Sequence, residues 1–103
     1  MMDKFRIELH AINPIKNTFR FYRLESGTDL FGDFIVVIRF GRIGTFGNSN
    51  TFAVTSINEA RSIITERLKK RQTAPHRIGI SYQIVDIFDP YNWWSEIQVN
   101  TSK

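Results

Sequence analysis

The chain has 103 residues, no cysteine, 42% hydrophobic and 14% aromatic content with nine Phe, and 14 Lys and Arg against 10 Asp and Glu. This size and composition fit one domain with a real core and favour a β-rich sheet packed on one helix over a disordered polar chain, and the lack of cysteine excludes disulfides and Cys-based zinc sites. The net charge of +4 is uneven: residues 1–50 hold seven basic and five acidic side chains, residues 51–82 six and two, and residues 83–103 one and three, which raises the expectation of nucleic acid or another polyanion as partner.

Met1-Met2-Asp3-Lys4 runs straight into an alternating segment, with no signal-peptide core. The longest wholly apolar run, Phe34–Ile38, is far shorter than the ~20 residues that span a bilayer. The expectation is a soluble, cytoplasmic protein. Phe5-Arg6-Ile7-Glu8-Leu9-His10 alternates apolar and polar, which predicts a half-buried strand with Phe5, Ile7 and Leu9 inward. Asn13-Pro14 marks a turn. Thr18–Glu25 alternates less cleanly, with Phe19 and Phe21 on one face and Tyr22 and Leu24 on the other. It lies close enough to the first strand to pair with it as a hairpin. Ser26-Gly27-Thr28-Asp29 and Gly32-Asp33 bracket a loop of about eight residues. That loop contains Leu30 and Phe31, which are expected to fold back onto the domain as a plug.

Phe34–Arg42 follows as the central strand, apolar on both faces and therefore expected to be covered on both. A glycine turn leads into a further strand, Asn48–Val54. Ser56-Ile57-Asn58-Glu59 is a capping box: Ser56 accepts from the amide three residues on, and Glu59 reaches back to the cap's own N–H. Ile57, Ala60, Ile63, Ile64 and Leu68 recur at helical spacing and form one apolar stripe, which predicts a helix over residues 57–72. Its other faces carry Arg61, Glu66, Arg67, Lys69, Lys70 and Arg71, and the basic last turn complements the macrodipole. Pro75 prevents the helix from continuing without a kink. Ile80–Phe88 is another strand, and Asp89-Pro90-Tyr91-Asn92 turns the chain. Trp93 and Trp94 point to opposite faces if extended, so at least one packs, as a flap over the sheet or as an aromatic platform for a partner. Ile97 and Val99 continue this tail. The fold class is α+β: a single antiparallel sheet of about five strands with one helix packed across it. The domain covers residues 4–88, followed by an aromatic, slightly acidic tail over residues 89–103.

The stretch with the most chemistry is Phe34–Gly47. In an extended chain Phe40 and Arg42 project to one side and Gly41 to the other. A flat ring beside a planar, permanently charged guanidinium suits a sugar or base next to a phosphate. Gly44 and Gly47 allow a tight turn directly after the pair. The same pair also fits a core Phe and a solvated Arg at a strand end. The spacing of Gly41, Gly44 and Gly47 matches neither nucleotide-binding glycine motif, and no helix follows directly, so these glycines read as turn geometry. Arg39 faces away from Phe40 and is expected to snorkel or to pair with a carboxylate. Arg67, Lys69, Lys70 and Arg71, with His76 and Arg77, form a basic cluster that is either a solvated helix face or a patch for phosphate backbones. His10 and His76 have no further ligand at metal-binding spacing, and no acid–base pair or Ser-His-Asp set is visible. No metal, cofactor or enzymatic activity is expected.

The run Phe40-Gly41-Arg42-Ile43-Gly44, followed by Gly47, resembles the WGR domain, named for a Trp-Gly-Arg triplet followed by Ile-Gly and a further glycine. Phe21-Tyr22-Arg23-Leu24-Glu25 and Asp29-Leu30-Phe31-Gly32 look like the first half of short bacterial WGR proteins. Ser56–Arg71, then Arg77 to Gly79, look like their helix and closing basic segment. The resemblance covers residues 5–80. It departs from the family at Phe40, which replaces the name-giving Trp with a smaller ring that lacks the indole N–H. In break-sensing poly(ADP-ribose) polymerases the Trp and Arg of this motif contact DNA near its end. The resemblance therefore implies that Phe40 packs on a sugar or terminal base and that Arg42 binds phosphate. It implies a non-enzymatic DNA-binding module, acting on backbone or duplex ends through Phe40, Gly41, Arg42, Arg67, Lys69, Lys70, Arg71 and Arg77. The alternative is a protein–protein interaction module serving a separately encoded enzyme partner, with Trp93, Trp94, Leu30 and Phe31 as anchors. Binding to an anionic membrane is disfavoured, because the apolar stripe of the helix is needed for the core.

Overall fold

The structure, a computed structural model, describes residues 2–73 and 79–95. Among the described residues the strands are β1 (Met2–Asn13), β2 (Thr18–Thr28), β3 (Phe34–Arg42), β4 (Asn48–Val54) and β5 (Gln83–Phe88), and the long helix α1 (Ile57–Gln72) lies between β4 and β5 in the chain. They form one antiparallel sheet in the order β4-β3-β2-β1-β5. This is the expected α+β class, but the central strand is β2 and not β3. The chain leaves α1 and returns to the far edge, where β5 pairs with β1 and Ile87 lies opposite Ile7.

One face of the sheet carries the core. Alternation in β1 turns Phe5, Ile7, Leu9 and Ala11 inward, and all four are buried. The register sets Ile7 opposite Leu24, and Leu24 opposite Ile38, so three strands present one continuous apolar row. Helix α1 lays Ala60, Ile64 and Leu68 on this face, with Ile57 and Ile63 partly buried beside them. Each fully buried Leu or Ile contributes roughly 1.5–3 kcal/mol. Ser26, a buried polar residue of this face, donates its hydroxyl to the Ile35 carbonyl at 3.1 Å. Among the described residues no helix covers the other face. Alternation puts Glu8, Arg23, Glu25 and Arg39 there, and leaves Ile35 and Val37 only half-buried. Strand β3 is thus covered on one face rather than two.

The capping box forms by half. Ser56 Oγ accepts from the Glu59 amide at 3.1 Å, but the Glu59 carboxylate accepts from the Thr55 hydroxyl at 2.9 Å instead of reaching the cap's N–H. The expected Leu30–Phe31 plug does not exist: the two residues are 94% and 89% exposed. Strand β2 continues to Thr28, so the connection is short, and Asp29 closes it. Its Oδ1 accepts from the amides of Phe31 at 2.9 Å and Asp33 at 3.0 Å. A turn tied this tightly cannot bend back over the sheet, and it presents both side chains at its tip.

Beyond β5, Trp93 is buried and stacks on Phe5, with ring centroids 5.6 Å apart and planes 9° from parallel. The Asp89 carboxylate holds it there by accepting from the amides of Trp93 at 2.7 Å and Trp94 at 2.8 Å. Trp94 is half-buried against the same core. The pair behaves as a flap. Pro75, His76, Arg77, Ile97 and Val99 lie outside the described residues. Among the described residues no helix is long and apolar enough to cross a membrane.

Candidate functional site

At one end of the sheet the β1–β2 turn, the start of β2 and the end of β3 meet the last turn of α1. A cavity of about 470 Å³ opens there. Its position follows from register: Tyr22 lies opposite Phe40, and Arg20 opposite Arg42. Opposed residues of an antiparallel pair share a face. Phe40 and Arg42 therefore project to the helix side, as alternation predicts, and Arg20 joins them. Phe40 is 37% exposed, so its ring forms a lip of the cavity and is not a core side chain.

The glycines shape this lip. A side chain at Gly41 would place its Cβ 2.7 Å from the Gly47 Cα, because the loop after β3 folds back across the strand. Gly47 has φ +67°, and a Cβ there would meet the Phe40 carbonyl and, at 2.8 Å, the Phe21 ring. The loop is fixed by three hydrogen bonds: the Ile43 amide to the Phe19 carbonyl at 2.9 Å, and the Thr45 amide and hydroxyl to the Arg42 carbonyl at 3.1 and 2.7 Å. The ring and guanidinium are thus carried on a rigid strand end.

Among the described residues, four cations line the cavity, Lys16, Arg20, Arg42 and Arg71, and no Asp or Glu does. Two of the guanidinium groups are held by rings instead of acids. Arg42 lies 5.0 Å from the centre of the Phe19 ring and donates to Asn17 Oδ1 at 3.2 Å. Asn17 adopts φ 51°, a left-handed conformation that Asn tolerates, and this closes the turn. Arg71 lies 4.4 Å from the Tyr22 ring and 6.0 Å from the Tyr82 ring, and its buried Nε has no hydrogen-bond partner among the described residues. Ring faces hold a guanidinium in place without neutralising it. The arrangement keeps positive charge and planar N–H donors available at the mouth, which suits a phosphate. Burial pushes the Tyr22 phenol above its ordinary pKa, and Arg71 and Arg67 pull it part of the way back.

The sequence-derived site residues divide. Phe40, Gly41, Arg42 and Arg71 line the one cavity. Arg67 is turned toward β4, 5.8 Å from the Phe52 ring. Lys70 bridges Glu66 at 3.7 Å one helical turn back. Lys69 is exposed on the helix, and Arg77 lies outside the described residues. Lys16, Arg20, Phe19 and Tyr82 join the cavity although sequence reasoning did not single them out. Arg20 had a usable signal, since Arg20 and Tyr22 alternate on β2 as Phe40 and Arg42 do on β3. Arg39, expected to find a carboxylate or snorkel, has none within ion-pair distance among the described residues. The nearby acids are engaged elsewhere: Glu8 with Arg23 and His10, Glu25 with Arg23.

No curated protein matches the chain at a significant level. A family model, described as the WGR domain, matches residues 5–74, which include most of β1, all of β2 to β4 and of α1, and the Phe40-Gly41-Arg42-Ile43-Gly44 run. With most of its length matched, and with the sheet, helix and glycine loop in place, the chain belongs to the WGR domain family.

Proposed function

We propose that this protein is a non-enzymatic, cytoplasmic nucleic-acid-binding module that takes DNA backbone or duplex ends into the cavity between β2, β3 and α1. One observation carries the reading: Lys16, Arg20, Arg42 and Arg71 converge beside Phe40 and Tyr82 with no carboxylate among the described lining residues. Charged side chains that served only stability would be paired, because unneutralised like charges facing one another are unfavourable. In the proposed complex Phe40 stacks on a sugar or terminal base, while Arg42, Arg20 and Arg71 take phosphate oxygens. The contacts fall on backbone and base face, so they confer affinity with little sequence readout. Lys69, Lys70 and Arg67 add to the attraction from the adjoining helix.

The test is fluorescence anisotropy with a labelled blunt duplex, using the intact chain, Phe40→Ala and Arg42→Ala at low and moderate salt. Binding that weakens steeply with salt and is reduced in both variants is the expected result. No binding at low salt by a chain that circular dichroism shows to be folded would overturn the reading. A second reading, docking to a protein partner, is favoured by the rigid turn that presents Leu30 and Phe31 to solvent. Trp93 cannot anchor such a partner, because it is buried in the core.

A further inference from the structure

The glycine loop has a second concave surface, on the open face of the sheet. A smaller cavity of about 180 Å³ lies under residues 43–46, with Arg39, Arg23, His10, Glu8, Thr45 and Phe46 around it. The charges here are unevenly balanced. Glu8 lies 2.7 Å from His10 Nε2 and 3.4 Å from Arg23, and Glu25 lies 2.9 Å from Arg23. Both acids are thereby engaged. Arg39 sits directly opposite Arg23 in the β2–β3 register, and no carboxylate among the described residues is within ion-pair distance of it. Like charges opposed across a strand pair are unfavourable. Unlike the Phe40 cavity, this one has a carboxylate in its lining, but Glu8 is engaged with His10 and Arg23, which leaves Arg39 as the cation without an acidic partner among the described residues. At the rim Phe46 is 89% exposed, an aromatic face held out on a loop whose backbone is fixed from both ends. Arg39 and Phe40 are consecutive in β3 and therefore project to opposite faces. A cation and a ring stand on each side of the same strand end.

We propose that the pocket around Arg39 and Phe46 is a second phosphate subsite, so that a nucleic-acid ligand is gripped on both faces of the sheet at this end. This rests on the nucleic-acid reading above and goes further by naming what the ligand must look like. A continuous strand lying in the Phe40 cavity cannot also reach the opposite face without passing around the glycine loop. A duplex terminus can, because it offers two strand ends that separate, one to each face. Arg39 takes a phosphate of the second strand, and Phe46 stacks on its last exposed base or sugar. The sheet end acts as a wedge, and the preferred ligand is an open duplex end.

The experiment compares two labelled probes of the same sequence, a blunt duplex and a duplex closed at both ends by hairpin loops, against the intact chain, Arg39→Gln, Phe46→Ser and Arg42→Gln. The expected result is about a tenfold loss of affinity for the open duplex in Arg39→Gln, the scale of one charge-assisted contact. A smaller loss is expected in Phe46→Ser, with little change for the closed duplex in either. Arg42→Gln weakens both probes. Arg39→Gln relieves an Arg–Arg opposition, so its melting temperature is expected to stay level or rise, which separates a binding defect from misfolding. Wild-type binding to both probes by Arg39→Gln and Phe46→Ser, with Arg42→Gln impaired, overturns the second subsite and leaves the nucleic-acid reading intact. Equal losses on open and closed probes overturn the wedge, because Arg39 would then act only as general positive charge. Failure of the intact chain to bind either probe overturns the nucleic-acid reading, and this inference with it.

Discussion

Replacing Arg20 by Gln tests whether the cavity is built for a ligand or for the fold. Arg20 stands opposite Arg42 in the β2–β3 ladder, and both line a cavity without acids among the described residues. Directly opposed like charges cost a few tenths of a kcal/mol up to ~1 kcal/mol in an antiparallel pair, and exposure places this pair in the lower half of that range. Gln keeps most of the side chain and a hydrogen-bonding amide but removes the charge. Arg20→Gln is therefore expected to stabilise the free protein by about 0.5 kcal/mol, read as a higher urea midpoint at unchanged slope. The same substitution removes one phosphate contact. The plot of log affinity against log salt for a DNA duplex should lose about 0.9 of slope, and affinity at low salt should fall about tenfold. Stability up and binding down is the signature of a residue retained for function. A variant that is less stable than the parent, or that binds DNA with unchanged salt slope, would refute the reasoning.

Gly47→Ala is expected to cost about 3 kcal/mol, because it adds a steric conflict with Phe40 backbone and the Phe21 ring to the strain of a left-handed residue. Gly44→Ala, at φ +90° with nothing within 4 Å, should cost only about 1 kcal/mol; equal losses in urea titration would mean that the loop can swing away from β3. Trp93→Ala removes the ring stacked on Phe5 and is expected to cost about 3–5 kcal/mol, with a loss below about 1 kcal/mol in the same titration showing that the flap is dispensable. Tyr22 has a raised pKa from burial, so its neutral form is the one the fold favours. The corresponding stability is present below the ordinary phenol value of about 10 and is lost as pH rises through the shifted one. Tyr22→Phe should flatten the alkaline limb of a melting-temperature profile, and an unchanged limb would exclude Tyr22 as its cause.

The family match ends at residue 74, yet the structure does not stop being one unit there. Strand β5 completes the sheet beside β1, where Arg6 donates to Asp86 at 3.0 Å and lies 5.2 Å from the Phe88 ring. That hydrogen bond, more than the opposing effect of burial, raises the Arg6 pKa above its ordinary value. Trp93 then fills the core against Phe5. The site depends on this added segment as well, since Tyr82 is one of the rings that hold Arg71. This bears on the replacement of the family's Trp by Phe40. The lost indole area falls at a lip that also carries Phe19 and Tyr82, so the cavity keeps aromatic walls while its cations stay in place.

Much of the fold is legible in the sequence because its signals are local. Alternation in Phe5–His10, helical spacing from Ile57 to Leu68 and the Ser56 cap each depend on neighbours a few residues apart, and each element forms where its pattern lies. The Leu30–Phe31 plug failed for a reason that composition hides. Hydrophobicity argues for burial, but the Asp29 side chain ties the turn so tightly that the tip has no freedom to fold back. The site was half legible. Phe40 and Arg42 declare themselves because two residues on one strand share a face. Arg71 was visible only as one member of a basic run, and Lys16, Arg20 and Tyr82 reach the cavity through pairing between strands and helix. Register decides which residues meet, and here it sets Arg20 against Arg42. A reading guided by local electrostatics would avoid that alignment. The sheet adopts it because the apolar row of Ile7, Leu24 and Ile38 fixes the register, and the energy of that row far exceeds the repulsion at the strand end. The place where the local rule is broken is then where the proposed ligand contact lies.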